Sequence, residues 1–256
     1  MVSRARLYRA TSILIRQRNL READRIVTLL TRERGKLSAV AKGVRRPRSK
    51  LAGGLQLFSH ARVQLAAGRS LEIVTQVEPQ DAFYHLREDV PRYNHACYAC
   101  EMVDALLEEQ QADSRIFDLL LATLDGLDRG GDPSTLVHGF ELKLLTGLGY
   151  GPELDTCVSC GASIGAARVG FSAAQGGVVC GRCLRAQGAA ALPPAALEAM
   201  RELLRLPPQE LAKRRLSKPV RQRLDSLLRA FVDYRLERPL KSAPFLSQEG
   251  TGQGAK

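Results

Sequence analysis

Between residues 8 and 77 the apolar positions come in short runs that read as strands: Thr11 to Ile15, Ile26 to Leu30, Leu37 to Val40, Val63 to Leu65 and Leu71 to Val77. The stretches between them, Asn19 to Ala23, Arg32 to Gly35 and Ala67 to Ser70, read as turns, with Gly35 and Gly68 available for positive φ. Five short strands with a polar, basic excursion after the third predict a small antiparallel barrel of the OB type. An SH3-like barrel gives nearly the same pattern, and periodicity does not separate the two.

After Glu78-Pro79 the period lengthens. Pro91 is placed to start a helix behind Asp89, and Ala96, Cys100, Val103 and Leu107 then recur at helical spacing. Ser114 opens a second helix with Phe117, Leu120, Leu121 and Leu124 on one side. Asp132-Pro133 opens a third that runs through Leu136, Phe140 and Leu144 to a stop at Gly147 to Gly149. Residues 150–190 are rich in Gly and Ala and poor in large apolar side chains, so a metal is the expected organising element there. Helical patterning resumes at Pro193-Pro194 and continues to about Leu240. The expected architecture is α+β: an N-terminal OB-type β-barrel (1–80), then an α-helical domain in two parts (81–149 and 191–246) with a four-cysteine zinc module (150–190) inserted. A disordered tail (247–256) follows.

Charge sharpens this picture. The 256 residues carry a net charge of +11. Residues 1–80 hold 17 Lys and Arg against 5 Asp and Glu, while the rest of the chain is nearly balanced at 21 against 22. The densest part is Lys36 to Lys50, where Lys42, Arg45, Arg46, Arg48 and Lys50 follow an apolar run with no intervening acid. Like charges repel, so folding gives no reason to gather them, whereas a polyanion gains from every counterion it releases. Lys36, Lys42, Arg45, Arg46, Arg48 and Lys50, with Arg16, Arg18 and Arg25 from neighbouring strands, are the candidate phosphate-tracking surface. Only Tyr8 and Phe58 are aromatic in residues 1–80, so base stacking contributes little and backbone electrostatics dominate.

Cys157-Val-Ser-Cys160 and Cys180-Gly-Arg-Cys183 are two C-x2-C pairs with the spacing of a four-cysteine zinc module. Four thiolates fill a tetrahedral shell, so the expected Zn2+ is structural rather than catalytic. Cys97 and Cys100 share that spacing but lie in a helical pattern, where buried thiols pack as small apolar groups. His60, His85, His95 and His138 join no nucleophile motif, and no phosphate-cradling loop is present, so the chain reads as a binding protein, not an enzyme, with no small-molecule substrate. No apolar run is long enough to span a membrane, and the Arg-rich start lacks the apolar centre of a signal peptide. A cytoplasmic location without membrane partners is expected.

The stretches EADRIVTLLTRERGKLSAVAKGVRRPRSKLAGGLQLFSHARVQL, RSLEIVTQVEPQ, ELKLLTGLGYGPELDTCVSCGA and RPLKSAPFL resemble the RecO family of bacterial DNA repair and recombination mediators. The resemblance implies an N-terminal OB domain, a helical domain and, in some members, a zinc module. It further implies nucleoid-associated binding of single- and double-stranded DNA, annealing of complementary strands, partnership with RecR and the single-strand-binding protein SSB, and indirect help in loading RecA. The SSB partner ends in an acidic tail with an apolar tip. Arg201, Arg205, Leu206, Arg221, Arg223 and Phe231 supply the cations and apolar groups such a tail needs. A zinc-ribbon regulator or RNA-binding protein is the alternative, distinguished by competition with unrelated DNA and structured RNA.

Overall fold

The computed structural model describes residues 7–68, 70–165, 168–187 and 189–248. The chain divides into two compact units, residues 1–125 and 126–256. The expected tail lies outside the described residues from position 249 on.

In the first unit, strands β1 (Leu7–Asn19), β2 (Arg25–Thr31), β3 (Gly35–Ala41), β4 (His60–Ala66) and β5 (Glu72–Asp81) close a barrel in the order β1-β2-β3-β5-β4. One long strand serves two neighbours. β1 pairs with β4 through Leu7 to Ile13 and with β2 through Ser12 to Asn19, and its register shifts between Leu14 and Arg16. A bulge of this kind bends a strand, which closure of so small a barrel requires. The seam is a short parallel contact in which Ala39 faces Glu72 and Val40 faces Ile73. In β3, buried Leu37, Ala39 and Ala41 alternate with half-buried Lys36, Ser38 and Val40. β2 is buried from Ile26 to Thr31, so both of its faces are covered. Gly35 takes the expected left-handed conformation at φ 68°. Gly68 does not. It is needed for close approach, since a Cβ there would lie 1.9 Å from the Leu71 carbonyl oxygen.

The helices α1 (Tyr84–Glu88), α2 (Val90–Leu106) and α3 (Ser114–Asp128) follow. The Asp89 side chain caps α2 by accepting from the Arg92 N–H at 3.0 Å, with Pro91 in the first turn. α2 lies against β1. Edge-to-face ring contacts at 5.3 Å between Phe58 and Tyr93, and at 6.0 Å between His60 and Phe117, tie barrel and helices together. Cys100 is fully buried and Cys97 partly so; burial pushes both thiols up, Cys100 strongly, so both stay protonated and inert.

The second unit is built on α4 (Pro133–Gly147). After it come β6 (Val169–Ser172), β7 (Gly177–Cys180), α5 (Gly181–Gln187) and β8 (Ala190–Leu192), the strands forming a sheet in the order β7-β6-β8. α6 (Pro194–Arg205), a 3-10 turn at Pro208–Lys213, α7 (Lys218–Leu236) and a second turn at Ala243–Gln248 complete the unit. α4 packs on both α6 and α7. Residues Ser134 to Leu142 of α4 are buried without a gap, so the helix is central rather than amphipathic. Two ion pairs fasten α7 to it. Arg221 meets Asp132 at 2.9 Å, and the His138 ring lies 3.1 Å from Glu141 and 3.0 Å from Asp225. The Nε2 contact with Asp225 is an ion pair out of hydrogen-bond alignment. Burial opposes a charged His138, but the two carboxylates outweigh it and raise its pKa to about 9.

Candidate nucleic-acid interface and metal centre

The cations separate into two groups according to the end of the barrel they occupy. At one end the β1–β2 turn and the loop after β3 are fastened to each other. The Asp24 carboxylate accepts from the Gly43 N–H at 2.7 Å, and the Arg45 N–H donates to the Ala23 carbonyl at 3.1 Å. Val44 and Leu55 plug into the barrel core, and successive turns bond Arg46 to Gly43, Ser49 to Arg46 and Ala52 to Ser49. The loop is thereby held in one shape, with Lys42, Arg45, Arg46, Arg48 and Lys50 exposed on it. Exposed Arg18 and half-buried Arg25 join from β1 and β2, Arg25 braced by Asn19 and Gln17. Arg21, which the sequence reading left out, stands on the same turn, and its carbonyl accepts from Arg45 at 3.4 Å.

Lys36 is elsewhere. It sits at the far end of β3, its side chain only 11% exposed, donating to the Asp104 carbonyl and lying 3.4 Å from the Asp104 carboxylate. Asp104 also holds Arg16 at 3.2 Å. Around them, Glu109 bridges alongside Lys36 and accepts from Ser38 at 3.0 Å, and Asp118 takes Arg32 in a two-pronged pair. The outer face of β1, β2 and β3 is therefore occupied by acids from the α2–α3 region. Lys36 does not belong to an open phosphate-tracking surface, whereas Arg16, though paired with Asp104, keeps 59% of its side chain exposed. Neither barrel aromatic offers a free face: Phe58 is fully buried, and Arg34 lies over the Tyr8 ring at 4.0 Å.

The four cysteines do come together. The sulfurs of Cys157, Cys160, Cys180 and Cys183 all lie within 4.8 Å of one another, with Cys160 and Cys180 at 3.7 Å. A tetrahedral ion with metal–sulfur bonds of about 2.3 Å sets its sulfurs about 3.8 Å apart, so this set is shaped to hold one metal ion. The first knuckle turns through Gly161 at φ 72°, where the Gly161 N–H donates to the Cys157 carbonyl at 2.8 Å. Cys180 ends β7 and Cys183 stands in the first turn of α5, so strand and helix start deliver the second pair. Burial resists ionisation of Cys157, but backbone N–H groups, including that of Cys180 at 3.3 Å, outweigh it and lower its pKa to about 6. Cys180 is lowered likewise by backbone N–H groups. A bond from Ser159 favours the Cys183 thiolate, but the Cys160 and Cys180 sulfurs outweigh it and raise its pKa to about 11, so an incoming metal has to displace its proton.

The residues expected to receive an acidic tail do not form one pocket. Phe231 is fully buried, edge-on to Phe171 of the small sheet at 5.5 Å. Leu203, Leu227 and Leu228 are core, Arg221 is committed to Asp132, and Arg223 donates to the Ala191 carbonyl. Arg201 and Arg205, by contrast, line an open dent of about 300 Å³ with Pro152, Glu153, Leu154, Asp155 and Leu204, beside half-buried Leu206, so its charge is mixed. Arg201 is oriented there by Asp155 at 3.1 Å and by the Leu154 carbonyl at 2.7 Å.

Among the described residues no helix is long and apolar enough to cross a membrane. Comparison with known proteins also finds two parts, but they meet just after the barrel and not at residue 125. Residues 5–83 match the family described as recombination protein O N terminal, and residues 87–244 match recombination protein O C terminal. A DNA repair protein RecO of Symbiobacterium thermophilum is 46% identical over 246 residues, covering 94% of this chain and 96% of the relative. Proteins of the same description from a Roseiflexus species and from Pelotomaculum thermopropionicum are 42% and 38% identical, over 95% and 98% of this chain and 86% and 98% of theirs. With both halves matched in order over nearly its whole length, the chain belongs to the recombination protein O family.

Proposed function

We propose that this protein is a non-enzymatic DNA-binding mediator of recombinational repair. The observation that carries the reading is the fastened pair of basic loops at one end of the barrel, where seven exposed cations, Arg18, Arg21, Lys42, Arg45, Arg46, Arg48 and Lys50, stand on a rigid base. Rigid placement spares a phosphate-binding loop the entropy of ordering on contact. With no free aromatic in the barrel, attraction to the backbone dominates, which suits both single- and double-stranded DNA and annealing of complementary strands. The strand order, closed by a parallel contact between β3 and β5, supports the OB type over an SH3-like barrel.

The four-thiolate set supports one structural zinc ion, which fixes the 150–190 segment and leaves no coordination position open for chemistry. Family membership supports RecR, SSB and, through them, RecA as partners in the cytoplasm. The dent beside Arg201 and Arg205 is our candidate for the acidic SSB tail, since it sets two guanidinium groups by Leu154 and Leu204; Glu153 and Asp155 also line it, so the tail has to displace Asp155 from Arg201. The direct test is pairing of complementary strands coated with their single-strand-binding protein. Acceleration by the purified protein is expected, without strand cleavage in magnesium or manganese. Failure to accelerate, or preference for structured RNA over DNA, overturns the reading.

A further inference from the structure

The outer faces of the barrel are unequal. The β1-β2-β3 face is filled by Asp104, Glu109 and Asp118, each engaged with a basic or hydroxyl side chain of the barrel. Among the described residues, the β1-β4-β5 face meets no acid from the helices. Antiparallel register lines up Arg9 with Gln64 and Gln64 with Gln76 on one rung, and Thr11 with Arg62 and Arg62 with Glu78 on the next. Along this face runs a groove of about 430 Å³ lined by Arg9, Arg62, Gln64, Gln76 and, from the basic loop, Lys50 and Leu51. Its wall is set by close packing of the loop on β5, since a Cβ on Gly54 would lie 2.3 Å from Val77. Lys50 is at once the last cation of the basic loop and a wall of the groove, so the two cationic surfaces are continuous.

We propose that single-stranded DNA leaves the 42–50 loop along this groove, its phosphates on Lys50, Arg62 and Arg9, and that the β1-β2-β3 face carries no strand. This inference rests on the DNA-binding reading above. The groove suits one strand: the amides of Gln64 and Gln76 can bond sugar or base edges, and Leu51 gives an apolar surface for a base. Glu78, 3.8 Å from Arg62 with both side chains largely in solvent, is a weak competitor that a phosphate displaces at small cost.

The test uses the full chain with its metal bound and a labelled oligothymidylate, titrated at several salt concentrations. Arg9→Glu with Arg62→Glu should reduce the slope of log K against log salt by about 1.4, two contacts at about 0.7 each on single strands. Glu78→Gln should tighten binding at fixed salt. A wild-type slope in a folded Arg9/Arg62 variant, alongside weakened binding by Arg45→Glu with Arg46→Glu, removes the groove and leaves the basic loops standing. If both double variants bind as wild type, the DNA-binding reading fails as well. An equal loss on duplex DNA contradicts the single-strand assignment.

Discussion

His138 offers a quantitative test of how the second unit is held together. Its ring is buried on α4, with Nδ1 facing Glu141 and Nε2 facing Asp225 of α7, and these carboxylates hold its pKa at about 9. An unfolded histidine titrates near 6.5. Because the folded value is the higher one, the native state keeps a proton that the unfolded chain releases. The stabilisation is therefore complete below about pH 6.5 and is lost as pH rises through about 9. One proton changes stability by at most about 1.36 kcal/mol per pH unit, so the interval corresponds to about 3 kcal/mol. Solvent around Asp225, whose side chain is 53% exposed, lowers this, making 3 an upper limit. Urea unfolding followed by circular dichroism, at constant ionic strength with metal bound, should show stability falling between pH 6.5 and 9.5. His138→Gln should start less stable and show a flatter profile over that range. Parallel profiles for the two proteins would mean that His138 is neutral in the fold, and the ion-pair account of the α4–α7 contact would be wrong.

Three further outcomes are expected. Cys157→Ser should abolish stoichiometric zinc by elemental analysis and expose residues 150–190 to protease, whereas Cys97→Ala with Cys100→Ala should leave zinc content unchanged; metal retained by the first variant contradicts the four-thiolate site. Gly35→Ala should cost at least about 1–2 kcal/mol in thermal unfolding for the left-handed backbone alone, and more because its Cβ would meet the Gln111 carbonyl at 2.0 Å; an unchanged midpoint would show that the 107–111 segment is not seated on β3. A peptide with an acidic, apolar-tipped end should bind with salt-sensitive affinity that Arg201→Ala with Arg205→Ala weakens, while DNA binding survives; crosslinks from the peptide to the barrel would refute the dent.

The barrel was legible because its apolar runs and turns are local signals. Every expected strand exists, but β1 extends to Asn19 because Gln17, Arg18 and Asn19 still pair with β2 while facing solvent, where no apolar pattern marks them. The helix starts behind Asp89 and Asp132-Pro133 were visible for the same reason, since cap and proline act within one turn. The small sheet was not, because strands as short as Ala190–Leu192 contain too few residues for an alternating pattern to register. Site geometry divides in the same way. C-x2-C spacing is a local constraint and delivered all four cysteines. The fate of Lys36 depends on Asp104, 68 positions away, and nothing near Lys36 in the chain announces that partner. Phe231 illustrates the complementary error: a phenylalanine among arginines reads equally as a pocket wall or as core, and only Phe171 packed against it decides.

The central claim, that the fastened basic loops bind DNA through its phosphates, is tested most directly by the salt dependence of binding after charge reversal. In full-length protein with Arg45, Arg46 and Arg48 changed to Glu, the slope of log K against log salt on single-stranded DNA should fall by about 2, three contacts at about 0.7 each, across unrelated sequences. A folded triple variant that keeps the wild-type affinity and slope would contradict it.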